Sequence, residues 1–417
     1  MKYYPFPEKK SWKLWFGAFL LMQLKLTRSG LGIANLGFMG VQVVMYALLV
    51  AAGMVFLAAN RNNLKEIFRD PRMAAVLVFS LIMLMPMVLK QDFRPMYGTL
   101  LAGFYFAVFL SYFTTVKEVA GYYVRILCVL AVYSLVATYL LRRLPDAGLL
   151  AVPQKINTKG NGYYNFGLCY VSISHVAYRN FGMFREPGVY QFFLMLGIYL
   201  NNYWVAWKKE RHMWLANGIL AVTMLSTLAT GGIIELGMFV VVLFFDKKMY
   251  RDKRLRNLAI LLVSAVAVVV LFSWIQQNQL YKLLYNNLIG KFVKREDSFT
   301  ERADAIYSNI QLVLANPILG AKFRTVLHGV NNNTSSTLII FAACGILAGL
   351  VHVASWFALV WKKESAVWAN LALLLILFMS FNTQNLTWDL YFWLFPVMAL
   401  VERGMPEFIH RRDGSKT

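Results

Sequence analysis

Phe184-Arg185-Glu186-Pro187-Gly188-Val189-Tyr190-Gln191 places two opposite charges and a proline at the head of an apolar run that continues through Phe192, Phe193, Leu194 and Leu196. Proline is tolerated in the first turn of a helix, where its missing N–H has no partner to lose, so Pro187 reads as the beginning of a membrane helix. Arg185 and Glu186 then stand at the water interface of that helix, where its dipole also favours the Glu186 carboxylate.

The rest of the chain has the same character. Its 417 residues are 59% hydrophobic with a mean hydropathy of +0.53, which leaves too little polar surface to cover a soluble globule. Apolar runs long enough to cross a bilayer recur along it, so the reading is an all-α polytopic membrane protein forming a single integral membrane domain over 1–417. A formal net charge of +22 is compatible with nucleic acid, anionic lipid or an anionic substrate. No polar segment is long enough to fold as a basic nucleic-acid-binding domain, which excludes the first. Cys128, Cys169 and Cys344 are scattered, two of them inside apolar runs, and indicate neither a disulfide framework nor a metal site. The first apolar run lacks a small-residue cleavage site and is expected to direct insertion itself.

Taken in order, a short first run at 12–26 is followed by clearer spans at 34–59, 73–89, 96–113 and 121–141. Arg61, Lys65, Arg69, Arg72 and Lys117 mark cytoplasmic turns by the positive-inside rule, which puts the N-terminus inside. Further spans are expected at 187–206, 213–229, 231–246, 257–275, 334–361, 366–381 and 387–401, with basic turns at Lys208-Lys209-Glu210-Arg211, Lys247 to Arg256 and Lys362-Lys363, and a basic tail returning to the cytoplasm. The sum is about 11–12 transmembrane helices with two large extracytoplasmic loops, 142–185 and 276–333. No internal repeat is visible, so the inverted-repeat signature of many secondary transporters is missing.

Both loops are basic. The first holds Arg142, Arg143, Lys155, Lys159, Arg179 and Arg185 against Asp146, a net +5; the second holds Lys282, Lys291, Lys294, Arg295, Arg302, Lys322 and Arg324 against Glu296, Asp297, Glu301 and Asp304, a net +3. Together they point to an anionic ligand held at the membrane surface, although long loops also carry solvated charge and lipid-headgroup contacts. Within the second loop, Ser298-Phe299-Thr300-Glu301 has capping-box spacing and predicts a helix from about 299 to Ala315, ended by Asn316-Pro317. Ala303, Ile306, Ile310 and Val313 form a stripe that would lay this helix on the membrane, with Arg302 at its edge. An arginine there can meet a phosphate bidentately, or form a surface pair with Glu301 or Asp304. Inside the spans, Arg125 and Glu235 stand near helix ends and are expected to snorkel to the interface, and His352 is expected to hydrogen-bond between helices. His175 is a weaker candidate for sugar contact.

Phe184-Arg185-Glu186-Pro187-Gly188 after a basic loop, then Arg302 with Asn316-Pro317-Ile318-Leu319-Gly320, resembles the O-antigen polymerase and O-antigen ligase superfamily, over about residues 30–402. Gly345-Ile346-Leu347-Ala348-Gly349 matches a Gly-Ile-Leu-Gly-like run of that family. The family's His-Asn pair before that run is replaced by Asn331-Asn332-Asn333-Thr334-Ser335, and His328 stands a few residues earlier.

The resemblance implies a GT-C-like fold in the bacterial cytoplasmic (inner) membrane, and transfer of a glycan from an undecaprenyl-diphosphate-linked donor to a sugar hydroxyl, without metal or cofactor. Membrane lipids, a flippase and a chain-length regulator are the implied partners. Arg185, Arg302 and Arg324 would stabilise charge developing on the lipid diphosphate, Glu186 or His328 would accept the hydroxyl proton, and Arg179, Arg295 and Asn333 complete the substrate-binding set. The missing histidine favours a repeat-unit polymerase over the ligase that delivers finished glycan to another carrier. A transporter of lipid-linked sugars, the reading from a different class, would want ionisable residues at mid-membrane. A purely structural envelope protein would need no charge at a helix mouth.

Overall fold

Proline and short polar caps set where the helices begin. The computed structural model describes residues 60–144, 152–155, 162–172, 179–184, 186–247, 297–330 and 333–404, with scattered helical residues between 17 and 58. Helix α1 (Leu64–Arg69) leads into α2 (Pro71–Leu89), where Pro71 occupies the first turn and the Asp70 side chain accepts the Arg72 N–H at 2.9 Å. Helix α3 (Pro95–Leu110) again starts on proline. Helix α4 (Val116–Tyr139) starts on Thr115, whose hydroxyl accepts the Glu118 N–H at 3.2 Å.

The first long connection is not all irregular. It contains a three-stranded antiparallel sheet, β1 (Val152–Lys155), β2 (Gly162–Asn165) and β3 (Tyr170–Ser172), with Val152 opposite Asn165 and Tyr163 opposite Ser172. This small sheet is a local addition to a fold that is otherwise helical, as the all-α expectation has it. The Gly160-Asn161-Gly162 cluster ahead of Tyr163-Tyr164 was the available turn signal. Val171 of β3 and Cys169 just before it pack on α4 against Ala137.

Helices α5 (Pro187–Tyr203), α6 (Glu210–Ser226) and α7 (Thr230–Asp246) follow. After 248–296, which lies outside the described residues together with the expected span 257–275, come α8 (Asp297–Ala315), α9 (Phe323–His328), α10 (Ser336–Val360), α11 (Val367–Asn382) and α12 (Leu390–Arg403). A helix is thus present over the predicted stretch, ending where Asn316-Pro317 stops it.

Helices α5 and α12 form the interior and are buried along nearly their whole length; α5 packs on α4, α6, α7 and α11, and α12 on α3, α4 and α10. The surrounding helices turn apolar side chains outward, among them Leu77 and Leu81 of α2, Leu215 and Val222 of α6, Val240 and Val241 of α7, and Leu371 and Leu375 of α11. A bundle apolar both inside and outside has lipid as its natural solvent. Three described helices, Pro71–Leu89, Val116–Arg143 and Ser336–Val360, are long and apolar enough to cross a membrane, and Pro95–Leu110 and Val367–Asn382 are shorter apolar helices. The protein is a mainly helical membrane protein.

At the end of the bundle where α2 begins, Arg72 is fully buried. Its Nε and Nη2 donate to Asp70 at 2.8 and 2.6 Å, its Nη1 to the Ser111 carbonyl at 2.7 Å, and its guanidinium lies 3.8 Å from the Tyr112 ring centroid. A desolvated charge so fully partnered ties α2 to the end of α3.

Candidate functional site

The other end of the bundle, where α5, α7 and α12 begin and α2, α4, α6 and α11 finish, carries its own set of polar contacts. Its organising feature is a break in α10 at Gly345 (φ 83°, ψ 175°), a backbone conformation that only glycine adopts readily. A broken helix orphans carbonyls and amides, and here the turn after α8 satisfies them. The Ile346 N–H donates to the Pro317 carbonyl at 2.9 Å and the Ala321 N–H to the Ala342 carbonyl at 2.6 Å. A Cβ at Gly345 would stand 1.9 Å from the Ile318 carbonyl oxygen, and one at Gly320 (φ 71°) 2.6 Å from the Ala343 carbonyl carbon. The Pro317-Ile318-Leu319-Gly320 and Gly345-Ile346-Leu347 segments, far apart in sequence, thus lie backbone to backbone.

Lys90, just past α2, locks this junction by donating to the Ala321 and Ala343 carbonyls at 2.9 and 2.7 Å, and Tyr97 adds a hydroxyl donor to Ala343 at 3.3 Å. Burial draws the Lys90 pKa below its ordinary value, while Cys344 and Asp92 act in the opposite direction. Buried Asp92 accepts the Phe323 N–H at 2.7 Å at the start of α9. Phe323 anchors α9 edge-on to Tyr97 at 4.7 Å, leaving Arg324 and His328, four residues apart on one face, exposed.

A second lock joins α8 to α9. Asn309 and Asn333 are both buried and pair amide to amide, at 2.8 and 3.1 Å, while Asn333 Nδ2 also donates to the Val326 carbonyl at 2.9 Å. Helix α8 therefore turns Ala305 and Asn309 to the protein, leaving Ile306 and Ile310 of the expected apolar stripe exposed. Arg302, seven residues before Asn309 and so on nearly the same face, is half-buried. Replacing Asn333 with alanine is expected to cost about 1–3 kcal/mol, because the Asn309 amide is left buried with a partner lost. Adding Asn309→Ala should then cost less than it does alone, as thermal unfolding of the four proteins of the double-mutant cycle would show.

The remaining predicted residues divide. Glu186 is exposed as the N-cap of α5, with no side-chain cap bond, and its carbonyl accepts the Val189 N–H at 3.2 Å. Arg179 is half-buried and its Nε donates to the Thr227 carbonyl at 3.0 Å, which stitches the first loop to the α6–α7 turn. Asn180 reinforces that stitch by donating to the Ser134 and Ser226 hydroxyls at 2.9 and 3.1 Å. Arg185, Arg295 and His175 lie outside the described residues.

Two expectations are overturned. Glu235 does not snorkel: its side chain is 0% exposed, with neither carboxylate oxygen within hydrogen-bonding geometry of a partner among the described residues. His352 is not hydrogen-bonded between helices: neither ring nitrogen has a partner among the described residues, and the ring packs 4.6 Å from that of Phe392 and 5.0 Å from that of Trp393. Helical side chains lean toward the N-terminus, so Glu235 points back into the mouth between α5 and α11 instead of along the lipid face. Arg125 is exposed, with its guanidinium 5.6 Å from the Trp207 ring centroid.

Sequence reasoning missed Lys90 and Asp92. The available signal was the charged turn Lys90-Gln91-Asp92-Phe93-Arg94 at the end expected to carry few positive charges. Comparison with family models, with curated proteins and with solved structures gave no match to this chain.

Proposed function

We propose that this protein is a membrane glycosyltransferase that extends a repeat-unit polysaccharide, O-antigen, capsule or exopolysaccharide, by moving glycan from an undecaprenyl-diphosphate carrier to a sugar hydroxyl of a lipid-linked acceptor. The observation that carries the reading is the docking of the Asn316 to Ala321 turn into the break at Gly345, which sets Arg324 and His328 on a braced, exposed helix at the bundle end that Glu186 also occupies. In this reading that end faces the outside of the bacterial cytoplasmic membrane and both termini face the cytoplasm.

The chemistry asks for electrostatics more than covalent help. The sugar C1–O bond to the diphosphate breaks, its electron pair leaves with the phosphate oxygen, and C1 bonds to the acceptor oxygen with inversion. Arg185, Arg302 and Arg324 meet the charge that develops on the leaving diphosphate, and Glu186 or His328 takes the hydroxyl proton.

The test is purified protein in lipid with one lipid-linked repeat unit as sole substrate. A ladder of products supports polymerisation. Product formed only when a second carrier is supplied identifies a ligase, and movement of substrate across the bilayer without a new glycosidic bond identifies a transporter.

A further inference from the structure

Glu235 lies in the second turn of α7, directly beneath the mouth, and its buried carboxylate has unsatisfied company. Gln191 of α5 and Ser380 of α11 face it and are near enough to interact with its carboxylate, yet neither Gln191 Nε2 nor Ser380 Oγ makes a well-formed hydrogen bond among the described residues. The helices meet closely here because α7 opens on Gly231-Gly232. A Cβ on Gly231 would lie 3.2 Å from Gln191 Nε2 and 3.6 Å from Glu235 Oε1, and one on Gly232 2.8 Å from Gln191 Cγ. Three helices thus bring four polar atoms, none in a well-formed hydrogen bond among the described residues, to one buried place, an arrangement that native interiors rarely leave without an occupant.

Among the described residues, none of the helices packed on α7 offers a counter-charge. Helices α5 and α11 contain no Asp, Glu, Lys, Arg or His, and α5 adds only the phenols of Tyr190, Tyr199 and Tyr203 as titratable groups. The charged and titratable groups of α6, Glu210, Arg211 and His212, sit at its opposite end, as does Asp246 on α7 itself. His352 of α10 reaches the region from the side of Phe381, ring to ring at 6.2 Å. A carboxylate in this setting is retained only if something neutralises it.

We propose that Glu235, Gln191 and Ser380 form an intramembrane binding site for a small monovalent cation, a proton or a sodium ion, whose occupancy holds the starts of α5 and α7 against the end of α11. All the groups that face the site offer hard oxygen ligands, since the carboxamide can present its oxygen by turning about its last side-chain bond. A proton neutralises the same charge and converts the carboxylate into a group that both donates to and accepts from Ser380 and Gln191. The site is independent of the glycan reading, and its test involves no substrate.

The experiment is thermal unfolding of the full-length protein in lipid nanodiscs, in sodium chloride and in choline chloride of matched ionic strength, each from acid to alkaline pH. A sodium site gives stability that falls as pH rises in choline and is restored by sodium. A proton site gives the same fall in both salts. In Glu235→Gln, which is neutral and nearly isosteric, the restoration by sodium is expected to vanish, and the fall with pH to shrink to what another desolvated carboxyl, Glu402 at the opposite end of the bundle, contributes. Ser380→Ala keeps the carboxylate and is expected to move the midpoint of whichever dependence the natural protein shows. The proposal is overturned if the natural protein responds to neither cation, if Glu235→Gln keeps the same response, or if Ser380→Ala leaves the midpoint in place.

Discussion

Gly345→Ala is expected to destabilise the protein by about 3 kcal/mol or more, the largest effect of any single methyl addition in the described structure. Two costs combine. The backbone at Gly345 has φ 83° and ψ 175°, a region that other residues occupy only at about 1–3 kcal/mol. The added carbon would also stand 1.9 Å from a backbone carbonyl oxygen, that of Ile318, which cannot rotate away as a side chain could, and overpacking of this kind costs about 1–3 kcal/mol more. Relief would pull the Pro317 to Ala321 turn out of the break, so exchange of the Ala321 and Ile346 amides should accelerate alongside the loss of stability. Gly237→Ala is the control: it lies in α7 with nothing within 4 Å of the new carbon, and should be neutral or more stable by about 0.5–1 kcal/mol. Equal unfolding temperatures for the two variants would show that the turn does not depend on the break.

Replacing Arg302 and Arg324 together with alanine is expected to lower chain extension by about 10²–10³-fold, the range seen when a preorganised donor to developing negative charge is removed. Arg324 is exposed and Arg302 half-buried at the edge of α8, so the double variant should fold and accumulate like the natural protein. Lysine at the same positions retains charge and loses the bidentate fork, and should fall between the two. The measurement is product length in the purified reaction at equal protein concentration. Unchanged ladders would remove both arginines from the diphosphate and leave the two basic loops as solvated charge.

Much of the bundle is legible in the sequence because its helices are set by local signals. Pro71, Pro95 and Pro187 open helices, Thr115 with Glu118 starts another, and Asn316-Pro317 closes α8; all of these act over four residues or fewer. Apolar run length then predicts α2, α4 and α10 as membrane helices. The turn signal at Gly160-Asn161-Gly162 was equally local, and it was obscured by the polar composition around it.

The site was legible only in part, for a physical reason. Arg324 and His328 are visible as charged residues near a helix-stopping motif, but what braces them is Lys90 and Asp92, each 231 residues distant from its partner at Ala321 or Phe323. Asn333 reads in the sequence as a binding residue beside an absent histidine, whereas its amide is committed to Asn309 and Val326.

What the sequence determined by itself was the solvent of this protein and the positions of its helices, since both follow from hydrophobicity summed over short windows and from backbone rules at single residues. What only the tertiary structure decided was which orphaned backbone and side-chain groups find partners. Lys90 meets the carbonyls of a broken helix and Asn309 meets Asn333, while Glu235 is closed in by neutral neighbours, because hydrogen bonding and burial depend on which helices pack together, and no window along the chain contains that information.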